Sequence, residues 1–243
     1  MPVYSDVGIV LRTHKLGEAD RIVTLITQDS GKVRAVAKGV RKTSSRFGSR
    51  LEPMSHVQVQ LYRGRELDIV NQVELIEIST QTRAHLEATT DGLAMCEMVD
   101  QLAHDRSPTP HLYRMLVGAL RQLNTKFQPL ILPALQFRLL AEEGVGPCVD
   151  RCVVCGCVEG LVAYDVSASG AQCQVHRRGV SATPAALSVI QDILGGRIAV
   201  QLRRDDISAP VMHEVVMLAR QAMEHHLERR IRSSSLFETP QLG

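Results

Sequence analysis

Apolar and polar residues alternate with a period of two through most of the first 80 residues, and this pattern limits the fold more than any other feature. Turn signals divide the alternation between Asp6 and Glu77 into five segments. Alternate side chains of a strand point to opposite faces, so each segment is predicted to be a strand with one buried face. The five predicted strands are DVGIVLR, DRIVTLIT, GKVRAVAKG, HVQVQLY and ELDIVNQVELIEI. Five short strands lose their exposed edges by closing on one another, which favours a small barrel.

After Ser79 the apolar residues follow the helical period instead. Thr109 before Pro110, and Thr183 before Pro184, each place a capping hydroxyl ahead of a proline suited to the first helical position. A further helix is predicted from near Pro129 to Glu143 with Gly144 as its stop, and Pro133 either lies in its first turn or kinks it. The predicted buried stripes are Leu86, Leu93, Cys96, Val99 and Leu102; Leu112, Leu116, Leu120 and Leu123; and Met212, Val216, Ala219, Met223 and Leu227.

Five of the six cysteines fall between Cys148 and Cys173, in a Gly-rich stretch that interrupts the helical region. CVVC, residues 152–155, and CQVH, residues 173–176, have the spacing of two facing metal-binding turns. Soft sulfur and imidazole ligands suit Zn²⁺, and four protein ligands leave no open position for water. The sequence therefore predicts one structural zinc ion, with unligated reduced thiols as the alternative. The predicted ligands are Cys152, Cys155, Cys173 and His176.

The fourth ligand has two competitors, Cys148 and Cys157. Cys157 is only two positions after Cys155, and this spacing is expected to direct its sulfur away from the same metal. His176 is therefore the preferred fourth ligand.

Positive charge is concentrated in one segment of a chain whose formal net charge is only +2. Residues 31–50 carry seven Lys or Arg and no Asp or Glu. Lys32, Arg34 and Lys38 alternate on one predicted strand face, and the other four follow in a predicted loop. Such a cluster predicts contacts to the phosphate backbone of a nucleic acid, against the plainer hypothesis of a solvated charged strand. The predicted nucleic-acid-binding residues are Lys32, Arg34, Lys38, Arg41, Lys42, Arg46 and Arg50.

These patterns predict an α+β multidomain protein with a five-stranded OB-type β-barrel, an all-helical domain and an inserted zinc finger. The expected boundaries are 1–79 for the barrel, 80–147 and 181–243 for the two parts of the helical domain, and 148–180 for the zinc finger. No run of 18 apolar residues and no export signal is present, so a cytoplasmic protein without membrane contact is expected. Binding to DNA would make it nucleoid-associated. In the cytoplasm, the six cysteines are not expected to form a disulfide framework.

Catalytic motifs match poorly. A zinc deaminase has H-x-E followed by P-C-x-x-C, but here Cys148 and Cys152 are separated by three residues rather than two. Gly31-Lys32 is not part of a phosphate-binding Walker loop, and no serine lies in a G-x-S-x-G context. No catalytic residue and no small-molecule substrate is predicted, and a metal-dependent hydrolase or deaminase ranks last among the alternatives.

Three parts of the chain together resemble the bacterial recombination mediator family RecO. They are the segment from GIVLRTHKLGEADRIVTL to YRGRELDIV, the segment from Cys152 to His176, and HLERRIRSSSLF at residues 226–237. The resemblance implies an N-terminal OB-fold, a helical domain and a zinc finger. It implies a non-enzymatic protein that binds single- and double-stranded DNA, anneals complementary strands, and works with RecR and single-stranded DNA-binding protein to load RecA. Family members that bind zinc usually have a cysteine where this sequence has His176.

Two other classes fit the residues. A zinc-ribbon DNA-binding transcription regulator would have a recognition helix and a preference for certain DNA sequences. An RNA-binding OB protein would prefer RNA over DNA of the same sequence.

Overall fold

A computed structural model describes residues 2–41, 45, 47–77, 79–197, 202 and 207–233. The chain falls into two compact units. The first contains residues 1–127 together with the chain from residue 231 onwards, and the second contains residues 128–230. The four-segment division at residues 79, 147 and 180 stays a prediction.

In the first unit, five strands close into a barrel in the order β1-β2-β3-β5-β4. Four of the five pairings are antiparallel. All five predicted strands are present, so the predicted barrel is confirmed. Only the β3–β5 pairing is parallel, and it is short, joining Ala35 to Asp68 and Val36 to Ile69. The strands are β1 (Val3–Leu16), β2 (Asp20–Thr27), β3 (Gly31–Ala37), β4 (His56–Tyr62) and β5 (Asp68–Glu77).

The barrel core is built from the inward residues that the alternation predicts. Val57, Val59 and Leu61 of β4 are at most 1% exposed and pack with inward residues of the other strands. Two glycines with positive φ make the first two hairpin turns, namely Gly17 at 57° and Gly31 at 71°. Glycine tolerates this left-handed region because it has no Cβ.

Three of the described helices pack in the same unit as the barrel. They are α1 (Thr80–Ala84), α2 (Leu86–Leu102) and α3 (Pro110–Thr125). Helices α2 and α3 contact β1 and β2, and the buried Cys96 thiol lies 3.9 Å from the carbonyl oxygen of Val10. Leu86, predicted to be buried, is 63% exposed because it is the first residue of α2. The predicted α3 stripe of Leu112, Leu116, Leu120 and Leu123 is confirmed, since each is at most 5% exposed.

The segment between α2 and α3 covers the part of β3 that β5 leaves unpaired. The backbone N–H of Arg106 donates to the carbonyl oxygen of Lys32 at 2.8 Å, and Lys32 forms a parallel bridge with Asp105. A Cβ on Gly31 would lie 1.8 Å from the carbonyl oxygen of Ser107. The Arg106 guanidinium also donates to the carboxylate of Asp68, the first residue of β5. A segment distant in sequence therefore completes the β3–β5 seam.

In its described residues, the second unit combines three helices with a small sheet. Helices α4 (Ile131–Glu142), α5 (Pro184–Leu194) and α6 (Ala209–His226) pack on one another. Strands β6 (Leu161–Asp165), β7 (Gly170–Cys173) and β8 (Val180–Ser181) form a sheet with β6 in the centre. This sheet lies in the segment predicted to be a zinc finger.

The helix ends follow the predicted signals in part. The Thr183 hydroxyl accepts a hydrogen bond from the backbone N–H of Ala186 and so caps α5. Thr109 makes no such bond, and its hydroxyl is buried without a partner in the described chain. Gly144 follows α4 with a φ of 77°, and the N–H of Val145 donates to the carbonyl oxygen of Leu140, which is a typical glycine stop. None of the described helices is long and apolar enough to cross a membrane.

Candidate nucleic-acid interface and candidate metal site

The alternation predicted for β3 is present. Val33, Ala35 and Ala37 are at most 2% exposed in the barrel core, while Lys32, Arg34 and Lys38 alternate with them on the outer side. Each strand residue advances the chain by about 3.3 Å, so these three cations are spread along a line. Their environments along that line differ.

Lys32 is the second residue of β3, and its ammonium has partners in α2 and in the segment after it. It donates to the backbone carbonyl oxygen of Asp100 at 2.7 Å and lies 3.6 Å from the Asp100 carboxylate. Asp105 is a second acidic neighbour at 3.5 Å. The side chain of Lys32 is only 14% exposed. The structure therefore separates Lys32 from the cations that face solvent.

Arg34 and Lys38 are exposed, and neither is paired with a carboxylate in the described chain. Arg41 is exposed too, and its guanidinium donates to the carbonyl oxygen of Gly17 at 3.2 Å. Arg50 is exposed at the end of a short 3₁₀ turn, Gly48–Leu51. The other two predicted cations, Lys42 and Arg46, lie outside the described residues.

Two cations near the cluster are compensated by carboxylates distant in sequence. Arg12 contacts Asp100 at 2.5 Å, and Arg21 contacts Glu52 at 2.7 Å. The fold supplies both carboxylates from segments that are far from the two arginines in sequence.

Two further exposed arginines, which the charge pattern did not predict, lie in the turn that joins β4 to β5. Arg63 lies with its guanidinium carbon 4.7 Å from the centre of the Tyr4 ring, and Arg65 is exposed. The turn leads into Asp68, which pairs with Ala35 next to Arg34. The Arg-Gly-Arg sequence of this turn indicated positive charge. Its position beside β3 follows only from the strand order, in which β5 neighbours β3.

Four cysteine sulfurs converge in the second unit. Cys152, Cys155, Cys157 and Cys173 each offer a sulfur, and all four sulfurs lie within 4.8 Å of one another. The sulfurs of Cys155 and Cys173 are 3.9 Å apart. The two predicted metal-binding turns therefore face one another. Cys148 is not in this group, and its thiol contacts Asp150 at 3.4 Å.

The expectation that Cys157 points away from the cluster is wrong. The N–H of Cys152 donates to the carbonyl oxygen of Cys157 at 2.7 Å, and the N–H of Gly156 donates to the carbonyl oxygen of Cys152 at 2.8 Å. Gly156 has a φ of 76°, a conformation that glycine adopts without strain. The chain thus curls back on itself after Cys155, which returns the Cys157 sulfur to the group.

His176 also contacts this group. Its Nδ1 lies 3.3 Å from the sulfur of Cys173 and 3.9 Å from the sulfur of Cys152. Five donor atoms, four sulfurs and one imidazole nitrogen, are therefore close together. Three of the predicted ligands, Cys152, Cys155 and Cys173, lie in the four-sulfur group together with Cys157. The fourth predicted ligand, His176, contacts two of these sulfurs.

Backbone hydrogen bonds favour the thiolate form of the leading cysteine in each turn. Those from Cys173, Cys155 and Val154 lower the pKa of the Cys152 thiol to about 6. Hydrogen bonding from the backbone of His176 likewise lowers the pKa of Cys173. A hydrogen bond from the Cys157 thiol to Cys155 raises the pKa of Cys157 to about 12. Thiolates are the metal-binding form of cysteine, so the first two residues are prepared as ligands.

The donor set fits a zinc ion. Tetrahedral coordination with Zn–S distances of about 2.3 Å separates two sulfurs by about 3.8 Å, close to the 3.9 Å between Cys155 and Cys173. Sulfur and imidazole donors without carboxylates are typical of structural zinc sites.

Two protein-family models match the chain, and together they extend over both units. The family model described as recombination protein O N terminal matches residues 1–79. The model described as recombination protein O C terminal matches residues 83–235, which is more than half of the chain. The closed five-stranded barrel followed by helices and the cysteine group agrees with these matches. The chain therefore belongs to the recombination protein O family, RecO, whose members act with DNA in repair and recombination.

Proposed function

We propose that this protein is a non-enzymatic recombination mediator that binds single- and double-stranded DNA without base specificity and anneals complementary strands. It works with RecR and single-stranded DNA-binding protein to load recombinase at gaps, in the cytoplasm at the nucleoid. Membership of the RecO family supports the role in recombination. The observation that carries the proposal for this chain is the pair Arg34 and Lys38, exposed on one barrel face without a described carboxylate partner.

Annealing requires two polyanions to approach each other. A protein that neutralises phosphates without reading base edges lowers the electrostatic barrier for any pair of complementary strands. Cations on a rigid strand are suited to this task, because their backbone positions are fixed by the barrel.

The proposed contact surface contains Arg34, Lys38, Arg41 and Arg50, together with Lys42 and Arg46 from outside the described residues. Lys32 is left out of this surface, because its ammonium is bound to Asp100 and lies 3.5 Å from Asp105. Arg65 in the β4–β5 turn extends the surface towards β5.

The proposed zinc ion has a structural role. Cys152, Cys155 and Cys173 hold it together with Cys157 or His176, and the ion supplies the cross-link that this Gly-containing segment needs in place of a large core. Chelation should therefore unfold β6–β8 selectively, which hydrogen exchange can measure. A Cys152→Ser protein that binds no metal yet keeps the melting temperature of the wild type would refute the structural role.

The annealing function can be tested with complementary strands already coated by single-stranded DNA-binding protein, in the absence of nucleotide. The protein should accelerate duplex formation severalfold. The matched variant replaces Arg41, Lys42 and Arg46 with Ala and should weaken binding and reduce the salt slope by about 3, one for each lost phosphate contact. An unchanged affinity and salt slope would contradict the assigned surface, and a strong RNA preference would favour the RNA-binding alternative.

A further inference from the structure

One row of outward side chains runs around the barrel, with one member on each of the five strands. The strand register pairs Val3 with Tyr62, Tyr62 with Ile69, Ile69 with Val36, and Val36 with Ile22. The residues that follow or precede them in each strand, such as Leu61, Val70 and Val23, lie in the barrel core. We call this row the apolar belt; its members are Val3, Tyr62, Ile69, Val36 and Ile22.

The belt is accessible, unlike a parallel row nearer the helices. Val3 is 48% exposed and the other four members are half-buried. In contrast, Ile9 and Ile26, which pair with each other on β1 and β2, are at most 1% exposed where α2 and α3 contact these strands. The helices therefore cover one part of the outer barrel surface and leave the belt open.

Cations flank the belt at its β3 member, Val36. Arg34 lies two residues before Val36 on β3, Lys38 lies two residues after it, just past the end of the strand, and both are exposed. Amide groups border the belt at Gln60 and Asn71, which hydrogen-bond to each other. An accessible apolar row with cations beside it is complementary to a polyanion that also carries flat apolar surfaces.

Tyr62 is the barrel aromatic placed to meet such a ligand. The hydroxyl of Tyr4 donates to the buried Asp68 carboxylate, and Phe47 is 2% exposed in the barrel core. Tyr62 is half-buried in the accessible row, between Val3 and Ile69. Aromatic side chains stack on unpaired bases in a manner that tolerates any base sequence.

We propose that the apolar belt binds the bases of single-stranded DNA, with Tyr62 on β4 as the stacking residue and with Arg34 and Lys38, on either side of Val36, holding phosphates. This inference rests on the proposed DNA-binding function and refines it. A duplex hides the faces of its bases, so it reaches the cations but not the belt. The belt thereby distinguishes single strands from duplex without reading sequence.

The sequence contains no tryptophan, so Tyr62→Trp creates a single fluorescent reporter inside the belt. An oligothymidylate should quench this fluorescence in parallel with binding measured by anisotropy of labelled DNA. A duplex of the same length should bind without quenching. Leu86→Trp is the matched control, because Leu86 is 63% exposed at the start of α2 and away from the belt, and its fluorescence should not respond.

Affinity measurements complete the test. Tyr62→Ala should weaken single-strand binding about 5- to 100-fold, leave the salt slope unchanged and change duplex affinity less than twofold, whereas Tyr62→Phe should restore single-strand binding. Circular dichroism and melting temperature check that each variant is folded.

The possible failures are distinguishable. Binding of oligothymidylate without quenching of the Tyr62→Trp reporter and without an effect of Tyr62→Ala overturns the belt proposal and leaves the proposed function intact. Equal quenching by duplex also overturns it. A response to polyglutamate but not to DNA would assign the belt to an acidic protein partner. A wild-type protein that binds neither form of DNA would refute the proposed function itself.

Discussion

Lys32 and Asp100 form a link between the barrel and α2, in which the ammonium donates to the backbone carbonyl oxygen of Asp100 at 2.7 Å. Both side chains are only 14% exposed. Asp100 is also 2.5 Å from the guanidinium of Arg12, so its carboxylate lies between two cations. A cation with these partners stabilises the fold.

Lys32→Ala is therefore expected to reduce stability more than it reduces DNA binding. Removal of the Lys32 ammonium leaves the carbonyl and carboxylate of Asp100 partly without hydrogen-bond partners. This should lower the free energy of unfolding by about 1–3 kcal/mol. Urea unfolding measures this change, and a salt series of filter binding measures the DNA effect. A Lys32→Ala protein with wild-type stability but a salt slope reduced by about 1 would contradict this prediction.

Arg34→Ala and Lys38→Ala should have the opposite profile. Each removes one proposed phosphate contact, so each should reduce the salt slope by about 1 while changing the free energy of unfolding by less than about 0.5 kcal/mol. Arg114→Ala serves as the control, since Arg114 is exposed on α3. If the control weakened DNA binding as much as the two β3 variants do, net charge rather than this surface would explain the binding.

The fourth metal position is expected to tolerate the loss of either candidate ligand. Five donors surround a site for a four-coordinate ion, so Cys157→Ser and His176→Ala should each retain about one zinc per chain. The double variant should lose the metal, as should Cys152→Ser alone. Metal content after dialysis, together with the absorption of the cobalt-substituted protein, reports both stoichiometry and sulfur ligation. Loss of zinc from His176→Ala alone would mean that Cys157 is no substitute ligand.

The buried environment of His56 leads us to expect that the protein loses stability in acid. Its ring nitrogen Nε2 hydrogen-bonds to the Tyr113 hydroxyl at 2.9 Å, and its Nδ1 is buried without a partner in the described chain. Burial, followed by the nearby Arg121, lowers the pKa of His56 below its usual value. The unfolded chain then binds the proton more readily, so this contribution to stability is complete above about pH 6.5 and is lost as the pH falls towards the lowered pKa.

The measurement is the free energy of unfolding in urea at pH 7.5 and 5.5, for the wild type and for His56→Gln. The variant should lose less stability between the two pH values than the wild type does. An identical loss in both proteins would show that His56 does not contribute to the acid sensitivity.

The sequence predicted the barrel because its signal is local. Val57, Val59 and Leu61 alternate with polar residues, and each ends in the core as expected. The fate of Lys32 was not predictable in this way, because Asp100 is 68 residues further along the chain and meets it only after α2 packs on the barrel. The partner of Arg21 was not predictable for the same reason, since Glu52 lies 31 residues away.

At the cysteine group, spacing predicted the two facing turns but not the position of Cys157. The spacing rule assumes that the chain continues away from the metal after a two-cysteine turn. Gly156 adopts a positive φ, and the backbone bonds between Cys152 and Cys157 close the loop instead. A glycine next to the second cysteine was the available signal, but the direction of the turn depends on hydrogen bonds that no periodicity reveals.

The segment that covers the β3 edge has a consequence for folding during synthesis. Asp105, Arg106 and Ser107 reach Lys32 and Gly31 only when more than 100 residues have left the ribosome, although the five strands are complete by Glu77. A nascent chain that stops before this segment has a barrel whose seam is held by two paired positions and an open strand edge. The barrel therefore acquires its final resistance to aggregation after translation has passed through α2.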